Sequence, residues 1–132
     1  MKIVIDTKVV IAAFFFGGDA RQIIEAVAQG KLTAYATREI VEEYKAVCVK
    51  MQRKRKKPRP NLLLPFTANL HIVETKPEIA AAYGDGKFIS CAAEVGAVYV
   101  VDDKEDAALA MEGASVKIMI AQGLCQLLSL YA

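Results

Sequence analysis

The chain is poor in the residues that staple small folds together. It holds three cysteines, one histidine and no tryptophan in 132 residues. Cys48, Cys91 and Cys125 are far apart, odd in number and form no CxxC pair. Neither a structural Cys/His zinc site nor a disulfide framework is expected, and buried structural thiols in a reducing cytoplasm are the natural reading. Eight glycines and four prolines are too few for a fibrous or low-complexity chain. The longest apolar runs, Val9 to Phe16 and Ile118 to Ala121, fall far short of the roughly 20 residues that cross a bilayer. The opening segment, Met1 to Lys8, has no basic stretch followed by a long apolar one, so no signal peptide is expected. A GxGxxG turn after the first strand and a GxxxxGK[ST] loop are both missing, which argues against dinucleotide and P-loop phosphate sites.

What is present is a core. Hydrophobic residues make up 55% of the chain and charged ones 24%, enough for one ordinary domain over residues 1–132. The net charge of +2 hides an asymmetry. Lys45, Lys50, Arg53, Lys54, Arg55, Lys56, Lys57 and Arg59 follow one another with no acid between Lys45 and Val73. The rest of the chain keeps 9 basic and 15 acidic side chains, a balance of −6. One strongly positive stretch, a basic loop or helix extension at about residues 50–61, suits contact with a polyanion, although a merely solvated loop has the same composition.

Hydrophobic patterning alternates between strand and helix. Strands are predicted at Lys2 to Asp6, Leu32 to Ala36, His71 to Val73, Val98 to Val101 and Val116 to Ile120. Helices are predicted from about Val9, from Asp19 as a cap, from Arg38 after Thr37, over Leu62 to Leu70, from Pro77 to Tyr83, over Lys87 to Glu94, over Ala107 to Met111 and over Gln122 to Leu130. This alternation predicts a three-layer α/β/α fold with a mainly parallel central sheet.

In such sheets ligands bind beyond the carboxyl ends of the strands. Two predicted strands end on acids there, one on Asp6 and one on Asp102-Asp103. Asp85 opens a helix, and Glu43 lies on a helix facing the sheet edge. Folded together, Asp6, Glu43, Asp85 and Asp103 can share a pocket, with Asp106 one helical turn beyond Asp103. Crowded carboxylates repel unless a cation neutralises them, and Mg²⁺ or Mn²⁺ is the natural oxygen-ligand partner. Ordinary roles stay open for each acid: helix caps for Asp85 and Asp103, a turn for Asp6, a solvated face for Glu43. His71 reads as a plain strand residue. A phosphoaspartate receiver domain would carry an acid pair after its first strand, where this chain has only Asp6.

With these residues in view, the sequence resembles the PIN-domain family, and most of all the VapC-like toxin components of toxin–antitoxin pairs. The resemblance runs over nearly the whole chain. Ile5-Asp6-Thr7-Lys8-Val9 is similar to the family's opening hydrophobic-Asp-Thr-Asn-Val motif, and Phe16-Gly17-Gly18 to the turn after it. Ala36 to Tyr44 resembles the segment whose conserved Glu falls on Glu43. Asp85-Gly86-Lys87-Phe88 resembles the Asp-x-x-Phe motif, and Val100 to Lys104 the strand ending on the last acid.

The resemblance implies a metal-dependent endoribonuclease hydrolysing RNA phosphodiester bonds, and within the toxin group a homodimer silenced by a small antitoxin protein. Asp6, Glu43, Asp85 and Asp103 would be the catalytic and metal-binding quartet for Mg²⁺ or Mn²⁺, with Asp106 as a further candidate ligand. Lys8, Lys50, Arg53, Lys54, Arg55, Lys56, Lys57 and Arg59 would contact RNA. Three departures stand out. Lys8 replaces the family's Asn; the last motif reads Asp102-Asp103-Lys104-Glu105-Asp106; and the basic run is heavier than the fold requires. A lysine at position 8 can pair with Asp6 and compete with the metal, or contact phosphate instead. The alternative reading is therefore a catalytically weak or inactive PIN-fold RNA-binding or regulatory protein.

Overall fold

The computed structural model describes residues 1–55, 63–84, 86–111 and 115–128. Its centre is β1, Lys2–Ile5, three of whose residues, Ile3, Val4 and Ile5, are buried although alternate side chains point to opposite faces. Both faces of the sheet are thus covered, as an all-parallel sheet requires. Around β1 lie β2 (Thr33–Ala36), β3 (His71–Ile72), β4 (Val98–Val101) and β5 (Ile118–Ile120). Their order is β3-β2-β1-β4-β5, and every pairing is parallel. The fold is α/β in three layers, as the patterning predicts. The chain winds outward in both directions from β1, so the order reverses between β1 and β4. That reversal opens a crevice beyond their carboxyl ends.

The helices are α1 (Thr7–Phe15), α2 (Gly18–Ala28), α3 (Arg38–Arg55), α4 (Leu63–Ala68), α5 (Pro77–Tyr83), α6 (Lys87–Val95), α7 (Lys104–Met111) and α8 (Ala121–Leu128). Helix α1 forms despite its β-branched residues because Val9, Val10 and Ala13 are fully buried and Asp6 caps it. Thr37 caps α3 as predicted, its Oγ1 accepting the Ile40 N–H at 3.2 Å. Pro77 sits at the start of α5, and Gly96 closes α6 in the left-handed conformation.

Some boundaries differ from expectation. Asp19 does not cap α2: the helix begins one residue earlier, at Gly18, with Gly17 as the cap at φ 85°. Gly17 and Gly18 both adopt positive φ, which lets the chain reverse between α1 and α2 in a way few other residues allow. Helix α7 starts at Lys104, three residues before the predicted Ala107. The basic stretch is helical as far as Arg55, where Arg53, Lys54 and Arg55 occupy the last turn of α3 and complement its C-terminal dipole. Lys56, Lys57 and Arg59 lie outside the described residues.

A line of aromatic rings runs through the core. Phe14 packs edge-on to Phe66 at 6.0 Å, Phe66 meets Tyr44 at 5.8 Å, Tyr44 meets Phe88 at 6.3 Å, and Phe88 stacks on Tyr99 at 6.0 Å. It joins α1, α4, α3, α6 and β4. Such pairs add about 0.5–1.5 kcal/mol each beyond burial.

Candidate active site

The site forms where β1 and β4 end. Asp6 follows β1 directly and keeps an extended backbone, with φ −64° and ψ 148°. Its N–H donates to the Val100 carbonyl at 2.9 Å, which ties it to β4. Its carboxylate is held twice. The Tyr99 hydroxyl donates to Oδ1 at 2.7 Å, and the Lys8 backbone N–H donates to Oδ2 at 3.3 Å. Tyr99 is nearly buried, and burial together with the neighbouring Asp6 pushes its phenol far up, so it stays a donor.

Glu43 comes from the middle of α3. Its neighbour Tyr44 is fully buried and donates to the Ile5 carbonyl, which fixes α3 against the last residue of β1. Glu43 then accepts from the Thr7 hydroxyl and from Lys87 Nζ, the latter at 2.6 Å. Burial alone would raise its carboxyl, but the Lys87 and Thr7 hydrogen bonds and the Lys87 charge bring it below its ordinary value.

The acids after β4 divide their roles. Asp103 Oδ1 accepts the Asp106 N–H at 2.8 Å and so caps α7. Asp102 and Asp106, rather than Asp103, stand with Asp6 and Glu43 in the wall of one cavity of about 950 Å³. Partial burial and the charges of Asp103 and Asp106 push the Asp102 carboxyl up, with Lys8 opposing them. Lys8 pairs not with Asp6, as expected, but with Asp106 across the cavity, its Nζ 3.1 Å from Oδ2. That contact is the main reason its ammonium is raised above the usual lysine value.

The structure thus brings together Asp6, Glu43 and Asp106 of the expected acids and adds Asp102. Asp85 lies outside the described residues, and α6 begins at Lys87 after Gly86. Of the expected basic residues, Lys8 stands in the cavity, whereas Lys50, Arg53, Lys54 and Arg55 are exposed along the end of α3. His71 is exposed on the edge strand, its ring 5.2 Å from Tyr35. Sequence reading missed Tyr99, Tyr44, Thr7 and Lys87. Only Thr7, adjacent to Asp6, carried a local signal.

The donor set is all carboxylate oxygen, the chemistry a hard divalent cation takes. The Asp102 carboxyl is raised first by burial and only then by the neighbouring charges of Asp103, Asp106 and Asp6, the part a bound cation would offset. Among the described residues no three of these acids are close enough to hold one ion as they stand, and Lys8 and Lys87 are paired with two of them. The cavity is not purely polar. Ile11, Ala12, Phe16, Val47 and Leu109 line it as well.

Among solved structures, the crystal structure of VapBC2 from Rickettsia felis bound to a DNA fragment from their promoter has the same fold. It superposes with a TM-score of 0.63 at 15% identity, covering 91% of this chain and 98% of that one. No curated protein matches the chain. No helix among the described residues is long and apolar enough to cross a membrane. The family model of the PIN domain matches residues 2–105, most of the chain and every acidic position from Asp6 to Asp103, and the chain belongs to the PIN-domain family.

Proposed function

We propose that this chain is a metal-dependent endoribonuclease that hydrolyses RNA phosphodiester bonds and acts in the cytoplasm as the toxin of a toxin–antitoxin pair. The observation that carries the reading is the convergence of Asp6, Glu43, Asp102 and Asp106 on one cavity at the reversal of strand order. PIN-family membership supports the nuclease class. The fold shared with VapBC2 supports the toxin assignment and a small antitoxin partner. In this reading residues 1–132 form one PIN-like domain that works as a homodimer.

Asp6 is the anchor of the proposed metal site, with Glu43, Asp85, Asp103 and Asp106 as the other expected ligands and Asp102 added by the cavity. Mg²⁺ or Mn²⁺, when bound, would supply an activated water and screen the phosphodiester charge. The chain's own part is positional. Tyr99 and the Lys8 backbone N–H each hold one oxygen of Asp6 and so fix its carboxylate in the cavity wall. Thr7 holds Glu43 beside it. Lys87 and Lys8 pair with Glu43 and Asp106, and with those acids bound to a cation the two ammonium groups would be available to substrate phosphates.

The test is cleavage of a mixed structured and single-stranded RNA pool in Mg²⁺, Mn²⁺ or EDTA by wild type, Asp6→Asn and Lys8→Asn. Metal-dependent cutting abolished in Asp6→Asn is the expected result. Cutting that survives Asp6→Asn or EDTA would overturn the proposal.

The Lys8–Asp106 ion pair favours a second reading, a PIN-fold RNA-binding protein with little or no nuclease activity. That reading expects wild type to be silent and Lys8→Asn to cut.

A further inference from the structure

Of three consecutive phenylalanines, two are spent on the core. Phe14 packs on Phe66, and Phe15 is buried. Phe16 is not: it is 62% exposed, and its ring lines the cavity that holds the carboxylates. It is also firmly placed. Phe16 caps α1, its N–H donating to the Ala12 carbonyl at 2.9 Å, and the Gly17 N–H reaches the same oxygen at 2.8 Å. The guanidinium of Arg55, from the last turn of α3, lies 4.2 Å from the centre of the ring.

We infer that Phe16 and Arg55 form a stacking subsite for one unpaired nucleobase of a single-stranded RNA, in the same cavity as the carboxylates. The inference rests on the ribonuclease reading above and names the form of substrate that site would take. An exposed aromatic ring on an anchored backbone offers a flat apolar face at small ordering cost. Every nucleobase has a face to match it, and the guanidinium plane offers a second surface for stacking. The charges beside the ring decide between a base and an apolar peptide. Lys50, Arg53, Lys54 and Arg55 are exposed on the end of α3, within the stretch that contains no acid. A stacked base carries a phosphate on either side, which these cations meet; a leucine side chain in the same place would leave them without partners. A base inside a duplex has both faces covered by its neighbours, so the subsite selects unpaired segments.

The experiment is fluorescence anisotropy with a single-stranded hexaribonucleotide and with a duplex of the same sequence. Wild type, Phe16→Ala, Phe16→Leu, Phe16→Tyr and Arg55→Gln would be compared in EDTA and again with Ca²⁺. Phe16→Ala should weaken the single strand roughly tenfold, within the range found for loss of base–aromatic stacking. Phe16→Leu should match Phe16→Ala, and Phe16→Tyr should match wild type. Arg55→Gln should weaken the single strand severalfold by removing the guanidinium surface of the subsite. Duplex affinity should be the same in wild type and the three Phe16 variants. Unchanged single-strand affinity in Phe16→Ala, or wild-type affinity in Phe16→Leu, overturns the subsite while leaving the ribonuclease reading in place. So does a change from dimer to monomer in Phe16→Ala with RNA affinity intact, which would give the ring to a protein interface. Absence of any RNA binding by wild type overturns the ribonuclease reading and the subsite together.

Discussion

Lys8 and Asp106 are 98 positions apart in sequence, yet their side chains meet at 3.1 Å in the cavity that holds Asp6. Lys8 thereby places a positive charge where the resemblance to PIN-domain proteins leads one to expect an asparagine. If the acids hold a cation, the ammonium competes with it for the same carboxylate. Lys8→Asn should bind Mn²⁺ several-fold more tightly than wild type in a calorimetric titration, with thermal stability almost unchanged because the pair is solvent-exposed. Equal affinities would show that Lys8 and the cation use different acids.

The second lysine pair governs the response to acid. Lys87 and Thr7 hold the Glu43 carboxyl below its ordinary 4.5. Near that value the native state binds fewer protons than the unfolded state, so stability rises with pH there. The contribution is complete above 4.5 and is lost as the pH falls through the lower native value. Asp102, whose carboxyl is raised, works in the opposite sense and does not produce this loss. Urea midpoints of wild type should therefore fall between about pH 5 and pH 3 more steeply than those of Lys87→Met. At neutral pH that substitution should cost no more than about 1 kcal/mol. The same acid slope in both proteins would mean that Lys87 does not hold Glu43 in solution.

Two tyrosines act through their hydroxyls. Tyr44→Phe keeps the ring packing but removes the hydrogen bond to the Ile5 carbonyl, and should lower unfolding free energy by about 1–3 kcal/mol. Tyr99→Phe removes the donor to Asp6. Hydrogen bonds to charged groups contribute about 1.5–3 kcal/mol, so RNA cleavage should fall tenfold or more by kcat with little change in KM. A KM effect alone would place Tyr99 in substrate binding instead.

The three cysteines are a probe of opening. Cys48, Cys91 and Cys125 have no exposed surface, and burial pushes each thiol up to about 11. An aromatic disulfide reagent at pH 8 should label none of them in the folded protein within minutes and all three in urea. Rapid labelling of one thiol would locate a segment that opens independently of the rest.

The sequence was most readable where physics is local. Ile3 to Ile5 and Val98 to Val101 are too apolar and β-branched to be anything but buried strands, and an acid at the end of each marks the crevice. Thr37 and Pro77 announce their helices by chemistry that acts within one turn. What stayed hidden depends on distance or on a single step of register. Asp102 and Asp103 are neighbours, and only the way α7 starts turns one to the cavity and the other to a backbone N–H. Nothing near Lys87 says that its ammonium will reach Glu43, or near Tyr99 that its hydroxyl will reach Asp6. The capping of α2 was misread because Asp19 is a good cap by type, whereas two glycines at positive φ had already started the helix.

The central strand also sets the order in which this site can come into being. β1 is made first, but one of its two neighbours in the sheet is β4, and Asp6 waits for a hydroxyl 93 residues downstream. A chain emerging from the ribosome therefore carries a β1 that can pair on its β2 side alone, and an Asp6 carboxylate without its Tyr99 donor, until β4 is complete. Until β4 and the segment from Asp102 to Asp106 are added, the cavity wall lacks Tyr99, Asp102 and Asp106. A fragment ending before Val98 has no complete site, and whatever chemistry the site performs is withheld from the unfinished chain.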